Sequence, residues 1–567
     1  MARADGRGAS VAIVEVMPER GSVPPGRHVM IETTMDVTRP GTVRLVVELL
    51  DLDEVVASVA RRRHLAAGTT AVRSRLRTPP TGRRGYGVRV RAYAADRTLL
   101  STGHAAIEAI AGWWESPRHV ALIDHTDAGT RAVHDLRAWH VRVAQAYDWM
   151  WRHYRYEPPG HEDPFRDTLG RPVSHRALRA TIRAATRHGI ATLAYGSVYG
   201  AEPEHVAAHP DDRVFDERGE PLSLGGTFFI NDIRPGHAWR RRLLGEYVAA
   251  MRRFGFAGIH MDTYGPPHAA TGADGAPIVF RELYPGLIRE AATEVGAIRG
   301  GRVLFNCVEG FPLEAVAPAP VAALYLELWP PDDRFGHLVA WIDRARAVAG
   351  ARQVVIAAYG LPMRDAHARE ERGRAFEATL LTTSVVGAAG AYHHTLAEGD
   401  RLLVEGYYPA AVRLRPGESR ALRAAWRFGT RYVHLLTGTT RDEGLERSVT
   451  LRTRSGAPIP TSNEPKAGSV WVRASRTQDG RPVIQLVDLR RQVDDRWDAV
   501  KAPSPSVAGW RLSCPGLSQP VAASPWTSDG EPVRSRRVPG GWVLPPARRW
   551  LMVAESRGPA LSDPGRD

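Results

Sequence analysis

Between residues 113 and 440, short apolar runs recur, each followed by a stretch of helical period, and that alternation restricts the chain to parallel strands joined by crossover helices. Eight runs carry it. They are "VRVAQAYDW" ending near Asp148, "IATLAYG" near Tyr195, "TFFIND" near Asn231 and "FAGIHMD" at Asp262. "GRVLFNC" near Asn306, "AALYLELW" at Glu327, "QVVIAAYG" near Tyr359 and "VVGAAGAYHH" near His393 complete the set. Eight is the number that closes a (β/α)8 TIM barrel, and the span fits the usual size of one. Helices are predicted in "HRALRATIRAATRHG", "AWRRRLLGEYVAAMRRFG", "RELYPGLIREAATEVG", "HLVAWIDRARAVAG" and "HAREERGRAFEATLLTTS", with a further one near Glu418 to Leu436. Several end on Gly, as a helix C-terminus should.

The flanks read differently. Residues 8–112 hold "VAIVEVMP", "HVMIETTMDV", "GTVRLVVELLD" and "GYGVRVRAYAA", β-rich runs separated by turn signals without helical periods between them. That spacing predicts an N-terminal immunoglobulin-like β-sandwich. Residues 441–556 return to such text in "GSVWVRAS", "PVIQLVDL" and "GGWVLPPARRWLMVAE", predicting a C-terminal β-sandwich. A multidomain chain is expected in any case, because 567 residues exceed what one core usually serves.

Composition removes several function classes. A net charge of +14 would invite a nucleic-acid partner, but Lys occurs only at 466 and 501 and the Arg residues are spread along the chain, so no nucleic-acid partner is expected. The locally basic "RRRH" at Arg61 to His64 and "WRRRLL" at Trp239 to Leu244 read as solvated faces. Cys307 and Cys514 lie too far apart to imply a disulfide framework, and no metal spacing occurs. "GHEDP" at Gly160 to Pro164 looks metal-like, yet adjacent loop residues rarely converge on one ion. No run of 18 apolar residues exists and "MARADGRGASVAIVEV" lacks a signal-peptide core, so no membrane association is expected; the chain reads as cytoplasmic, or secreted if a leader was removed.

In a closed parallel barrel the working groups sit at the C-terminal strand ends. Polar residues recur at those ends: Asp148, Tyr195, Asn231 with Asp232, Asp262, Asn306 with Glu309, Glu327, Tyr359 and His393. Converging carboxylates are the equipment of glycoside cleavage, one attacking or activating water and the other protonating the departing oxygen. Asp262 and Glu327 are the sharpest candidates, although a strand-end Asp also serves as a helix cap and a lone Glu as a rim ion pair. Tyr325, Glu327 and Trp329 share a strand face by period-two alternation, so Trp329 could offer a sugar platform and help keep Glu327 protonated. Asp148, Tyr195, Asn306, Tyr359 and His393 are candidates for gripping substrate, with His394 also able to line the pocket, against the alternative of packing roles. Glu309 competes with Glu327 but follows the strand in loop text.

The stretch "YDWMWRHYRYEPPGHEDPFRDTLGRPVSHRALRATIRAATRHGIATLAYGSVYGAE" resembles glycoside hydrolase family 66, the endo-dextranases and cycloisomaltooligosaccharide glucanotransferases, and the likeness persists through "GIHMDTYG", "LFNCVEG", "LYLELWP", "AAYG" and "YYP". The resemblance implies a retaining enzyme cutting α-1,6-linked glucans, with Asp262 as nucleophile and Glu327 as acid/base. No cofactor and no metal is implied. Family members commonly carry Gln-Leu-Gly after the nucleophile, where this chain has Thr263 and Tyr264 before Gly265.

The expected function is therefore endo-acting, retaining hydrolysis of dextran-like α-glucan by a monomer. A transglycosylase forming cyclic or elongated isomaltooligosaccharides is the first alternative; a non-catalytic glycan-binding protein is the second.

Overall fold

The computed structural model describes residues 10–127, 130–160, 162–406 and 410–556. The chain is multidomain, with curled sheets throughout. In the middle of it, eight parallel strands pair in sequence order: His119–Leu122, Val143–Ala146, Ala191–Ser197, Gly258–Asp262, Arg302–Val308, Val321–Glu327, Val354–Ala357 and Tyr392–His394. The last continues into Leu396–Ala397, where Ala397 pairs in parallel with Ala121 of the first, so the sheet curls back onto its own beginning. A hairpin, Arg401–Glu405 with Ala410–Arg413, extends it to eleven strands.

Period-two alternation sorts the side chains of these strands. Leu193, Leu304, Ala323, Tyr325, Val355 and Ala357 pack together inside the curl. Their neighbours Ala194, Ile259, Met261, Phe305, Leu324, Leu326 and Ile356 face outward to the helices. Each large side chain buried in this way contributes about 1.5–3 kcal/mol.

Helices cover the outside where the sequence predicts them: His175–Arg187, Ala238–Phe254, Phe280–Gly296, Phe335–Ala349, Arg369–Ala388 and Pro416–Arg431. Ser174 caps the first, accepting from the Ala177 amide at 3.1 Å. Ala238–Phe254 stops at Gly255, whose φ of 78° is the left-handed conformation a helix C-cap requires.

Two of the expected strands differ. "TFFIND" does not join the central sheet; Phe228–Ile230 is the middle strand of a small antiparallel sheet with Gly200–Ala201 and Ser223–Leu224. Both of its edges are taken by those two partners, and Asn231 is spent on the Tyr199 and Phe229 carbonyls at 2.8 and 2.9 Å. The place expected for it does not exist, because Ala191–Ser197 pairs directly with Gly258–Asp262; the count of eight is made up by His119–Leu122, at the start of the alternation. The eighth strand is also shorter than expected, because "VVGA" continues the helix Arg369–Ala388 and extension begins only at Tyr392.

On the N-terminal side, antiparallel strands Ser10–Pro18, His28–Arg39 and Gly68–Arg77 share one apolar cluster with a five-stranded sheet built from Gly41–Asp51, Glu54–Leu65, Arg84–Tyr93, Leu99–Ala109 and Ser22–Val23. Glu108, fully buried, ties it to the central sheet by accepting from Arg142 Nε at 3.1 Å and from Ser116 at 2.8 Å, with Arg118 alongside. On the C-terminal side, a seven-stranded and a four-stranded sheet share a second cluster around Val472, Ile484 and Leu512. Among the described residues no helix is long and apolar enough to cross a membrane.

Candidate active site

Asp262 is the last residue of the fourth parallel strand and Glu327 the last of the sixth, so both emerge at the C-terminal end of the sheet. Between them runs the strand Arg302–Val308, which carries Asn306. One atom joins all three: Asn306 Nδ2 donates to Asp262 Oδ1 at 2.7 Å and to Glu327 Oε2 at 2.5 Å. Those two oxygens are therefore no more than about 5.2 Å apart, the sum of the two bonds. Glu327 Oε1 also accepts from the Tyr359 hydroxyl at 3.1 Å and from Trp329 Nε1 at 3.2 Å. Asp262 is not a helix cap; its side chain bonds Asn306 and Tyr195.

Burial and proximity set the charges. Burial pushes Asp262 up to about 6, against the pull of Asn306 and Tyr195, with the Asp148 charge adding to the rise. Burial pushes Glu327 further, to about 7, helped by the Asp262 charge and opposed by its three donors. Two carboxyls sharing one amide titrate as a pair, and burial holds both above the usual carboxylate range.

A cavity of about 740 Å³, counting its open mouth, surrounds the pair. Aromatic rings form its walls: Tyr147, Tyr195, Phe228, Tyr264 and Tyr359. Two glycines admit them. A Cβ at Gly200 would lie 1.8 Å from the Tyr264 hydroxyl, and one at Gly406 2.4 Å from the Tyr359 ring. The Tyr264 hydroxyl accepts from Ser197 at 2.8 Å, and the Tyr264 amide donates to Tyr199, so the aromatic residue following the carboxylate is a fixed wall.

Of the sequence-predicted site residues, the structure brings Asp148, Tyr195, Asp262, Asn306, Glu327 and Tyr359 to this cavity. Trp329 reaches it through Glu327, its ring 5.2 Å from that of Tyr359. Asp148, at a φ of 44°, is held by Arg171 at 2.6 Å; burial raises its pKa, and Arg171 opposes the rise. It follows the second strand, since His119–Leu122 precedes it.

His393 is not among the walls. It sits one residue off in the alternation, with Nε2 on the Ala358 carbonyl at 2.8 Å and Nδ1 by Thr383 at 3.0 Å, while His394 points inward. Glu309 is exposed and contributes only its amide, which donates to the Glu327 carbonyl at 2.7 Å. Asp232 is occupied by Arg234 at 2.5 Å. The "YYP" run at 407–409 and His161 of "GHEDP" lie outside the described residues.

Several cavity residues escaped the sequence reading. Stepping back two residues from Asp262 gives His260, just as the alternation placed Tyr325 beside Glu327, so period two alone could have found it. His260, Tyr325, Gln145 and His394 form the floor; Tyr325 Oη lies 2.7 Å from His394 Nδ1, and His119 stacks beneath on His394 with ring centres 4.5 Å apart. Burial lowers His119 to about 3 and holds His260 and His394 well below the usual imidazole range. His153 had no local signal. It comes from a loop, and Glu202 at 2.9 Å raises its pKa against the opposing effect of burial.

The chain is 24% identical over 410 residues to a cycloisomaltooligosaccharide glucanotransferase of Niallia circulans, covering 67% of this chain and 42% of that one. It is 23% identical over 496 residues to a dextranase of Streptococcus salivarius, covering 75% and 59%. The chain thus spans about half the length of these relatives. In structure it is similar to a cycloisomaltooligosaccharide glucanotransferase of Paenibacillus sp. complexed with cycloisomaltoheptaose, with a TM-score of 0.84 and 19% identity, covering 96% of this chain and all of that one. The model of glycosyl hydrolase family 66 matches residues 21–508, a span that takes in both carboxylates, the amide between them and every wall of the cavity, and to that family the chain belongs.

Proposed function

We propose that the protein cleaves α-1,6-glucosidic linkages inside dextran-like glucans with retention at the anomeric carbon. The observation that carries the reading is the spacing of at most about 5.2 Å between Asp262 Oδ1 and Glu327 Oε2. Retaining glycosidases hold their carboxyls about 5–5.5 Å apart, whereas inverting ones leave room for a water. Ionised Asp262 attacks the anomeric carbon as protonated Glu327 gives its proton to the departing glycosidic oxygen. The covalent glycosyl intermediate is then released when Glu327, now a base, takes a proton from the incoming water. Asn306 orients both carboxyls, and the tyrosine walls give the sugar apolar faces to rest on. The same reading takes the curled sheet as a closed (β/α)8 barrel, supported by the Ala397 to Ala121 pairing, and the flanking sheets as sandwiches divided from it near residues 112 and 440.

A second reading is transfer of the same intermediate to a sugar hydroxyl. Its support is the likeness to two glucanotransferases, together with walls that are largely aromatic and so disfavour water. One incubation tests both. Dextran, pullulan, starch and isomaltooligosaccharides are offered and the products separated by chromatography. Linear products from dextran alone support hydrolysis, cyclic or elongated products support transfer, and inertness toward dextran overturns both.

A further inference from the structure

A second concavity lies on elements that do not contribute to the carboxylate cavity. It is bounded by the first described strand, Ser10–Pro18, the helices Thr130–Ala138 and Pro416–Arg431, and the C-terminal segment around Trp526, and has about 1440 Å³ of space counting its open side. Arg137, Arg420, Arg423, Arg427 and Arg548 line it; the acids in its lining are Glu15 and Asp529. Arg420, Arg423 and Arg427 are three and four residues apart on one helix, so they share a face, an arrangement that costs helix stability unless negative charge meets it.

The available negative charge is incomplete. Arg423 pairs with Asp400 at 2.5 Å, and Arg427 lies 3.5 Å from Asp529, itself largely exposed. Arg137 and Arg548 donate to the Pro18 and Ser504 carbonyls, at 3.1 and 2.8 Å, while Glu15, Glu19 and Glu32 act on Arg137 and Glu377 on Arg548 only beyond ion-pair distance. Arg420 is exposed and meets no carboxylate within ion-pair distance among the described residues. Buried polar atoms add a second observation. His140, 6% exposed, lines the cleft with Nδ1 lacking a hydrogen-bond partner among the described residues, as do Nε of Arg137 and Nε of Arg423. Burial, with Arg142, Arg118, Arg427 and Arg423 around it, keeps His140 neutral.

We propose that this cleft binds a tetrahedral oxyanion of the phosphate class, either inorganic phosphate or a phosphate monoester on a sugar. A carboxylate is satisfied by one guanidinium fork, whereas a phosphate carries nearly two charges and enough acceptor oxygens for several. Asp529 would be displaced from Arg427 on binding, which its exposed position permits.

The test is calorimetric titration of the whole chain with orthophosphate and, separately, glucose 6-phosphate, in chloride near physiological ionic strength to screen diffuse attraction. Saturable binding is expected, weakened about tenfold in Arg420→Ala and abolished in Arg420→Ala/Arg427→Ala, one charge-assisted contact being worth roughly a decade of affinity. Whichever ligand binds more tightly identifies the source. The double variant carries the risk of misfolding because Arg427 also donates to the Asp529 carbonyl, but Arg420 is exposed and its single variant stands by itself. An Arg61→Ala/Arg63→Ala variant, altering exposed residues of the Glu54–Leu65 strand, is expected to bind normally. Absence of saturable binding in the native chain, or equal loss in the Arg61/Arg63 variant, overturns the proposal.

Discussion

Two adjacent layers of the same sheet, separated by one step of the strand alternation, treat buried ionisable groups in opposite ways. In the upper layer Asp262 and Glu327 share the amide of Asn306 and gather further donors from Tyr195, Tyr359 and Trp329. In the layer beneath, both ring nitrogens of His260, Nδ1 of His119 and Nε2 of His394 have no partner among the described residues. Burial is nearly complete in both. Above, burial works against fixed donors and a like charge, which leaves the carboxyls at about 6 and about 7, where a proton can move. Below, burial outweighs the Gln145 side chain at His119 and the Leu396 backbone at His394, nothing opposes it at His260, and the imidazoles are held neutral. Desolvation alone silences a group; desolvation balanced by donors and a neighbouring charge tunes it.

The comparison is broken most directly at the upper layer. Asp262→Asn is expected to lower turnover of dextran by on the order of 10⁴-fold while oligosaccharide binding survives; initial rates and calorimetry on one preparation check it, and a nearly active variant removes Asp262 from its role. Glu327→Gln should cost about 10²–10⁴-fold, and less with an activated leaving group that needs no proton, which a nitrophenyl glycoside would reveal. Asn306→Ala is sharper in kind though smaller in size, at roughly 10²-fold. Its amide lowers both pKa values, so its loss should move both limbs of the pH profile toward alkali, from a native optimum between about 6 and about 7. A shift of one limb alone would contradict the shared bond.

Stability gives two weaker effects. Both carboxyl pKa values are raised in the folded state, so the native fold binds extra protons between the unfolded and folded pKa values and loses stability as pH rises through about 6 to about 7. Asp262→Asn should therefore melt higher than the native chain at pH 8 and show little difference near pH 4, a gain on the order of 1–2 kcal/mol. His260→Leu, in the lower layer, should change stability by less than about 1 kcal/mol and leave the pH profile in place, because it removes unpartnered polar atoms. A displaced profile would mean that the floor takes part in the titration above it.

Much of this arrangement was legible in the sequence because it is periodic. Apolar runs ending in carboxylates located the strands of Asp262, Asn306 and Glu327, and alternation within "LYLELW" correctly put Tyr325 and Glu327 on one face. Two errors of assignment offset each other: "TFFIND" was counted and His119–Leu122 was not, so Asp262 and Glu327 still fell on the fourth and sixth strands. A four-residue strand directly after "GWWESPR" leaves little pattern to detect, and a three-residue hairpin strand with an aromatic pair imitates one. His393 and His394 stayed joint candidates because strand phase cannot be fixed while the helix boundary at Ala388 is unknown; only His394 faces the cavity. His153 and Arg171 belong to a loop whose path is decided by tertiary contacts with Glu202, Asp148 and Asp167, none of which has a sequence period.

The single amide spanning two acids has a consequence for how this centre can change over time. Asp262 and Glu327 lean on the same small group, so a substitution there perturbs both carboxyls at once, and neither pKa can drift alone. Change at this cavity is thereby steered outward, to the tyrosine walls and the loops bearing them, while Asp262, Asn306 and Glu327 are constrained as one unit.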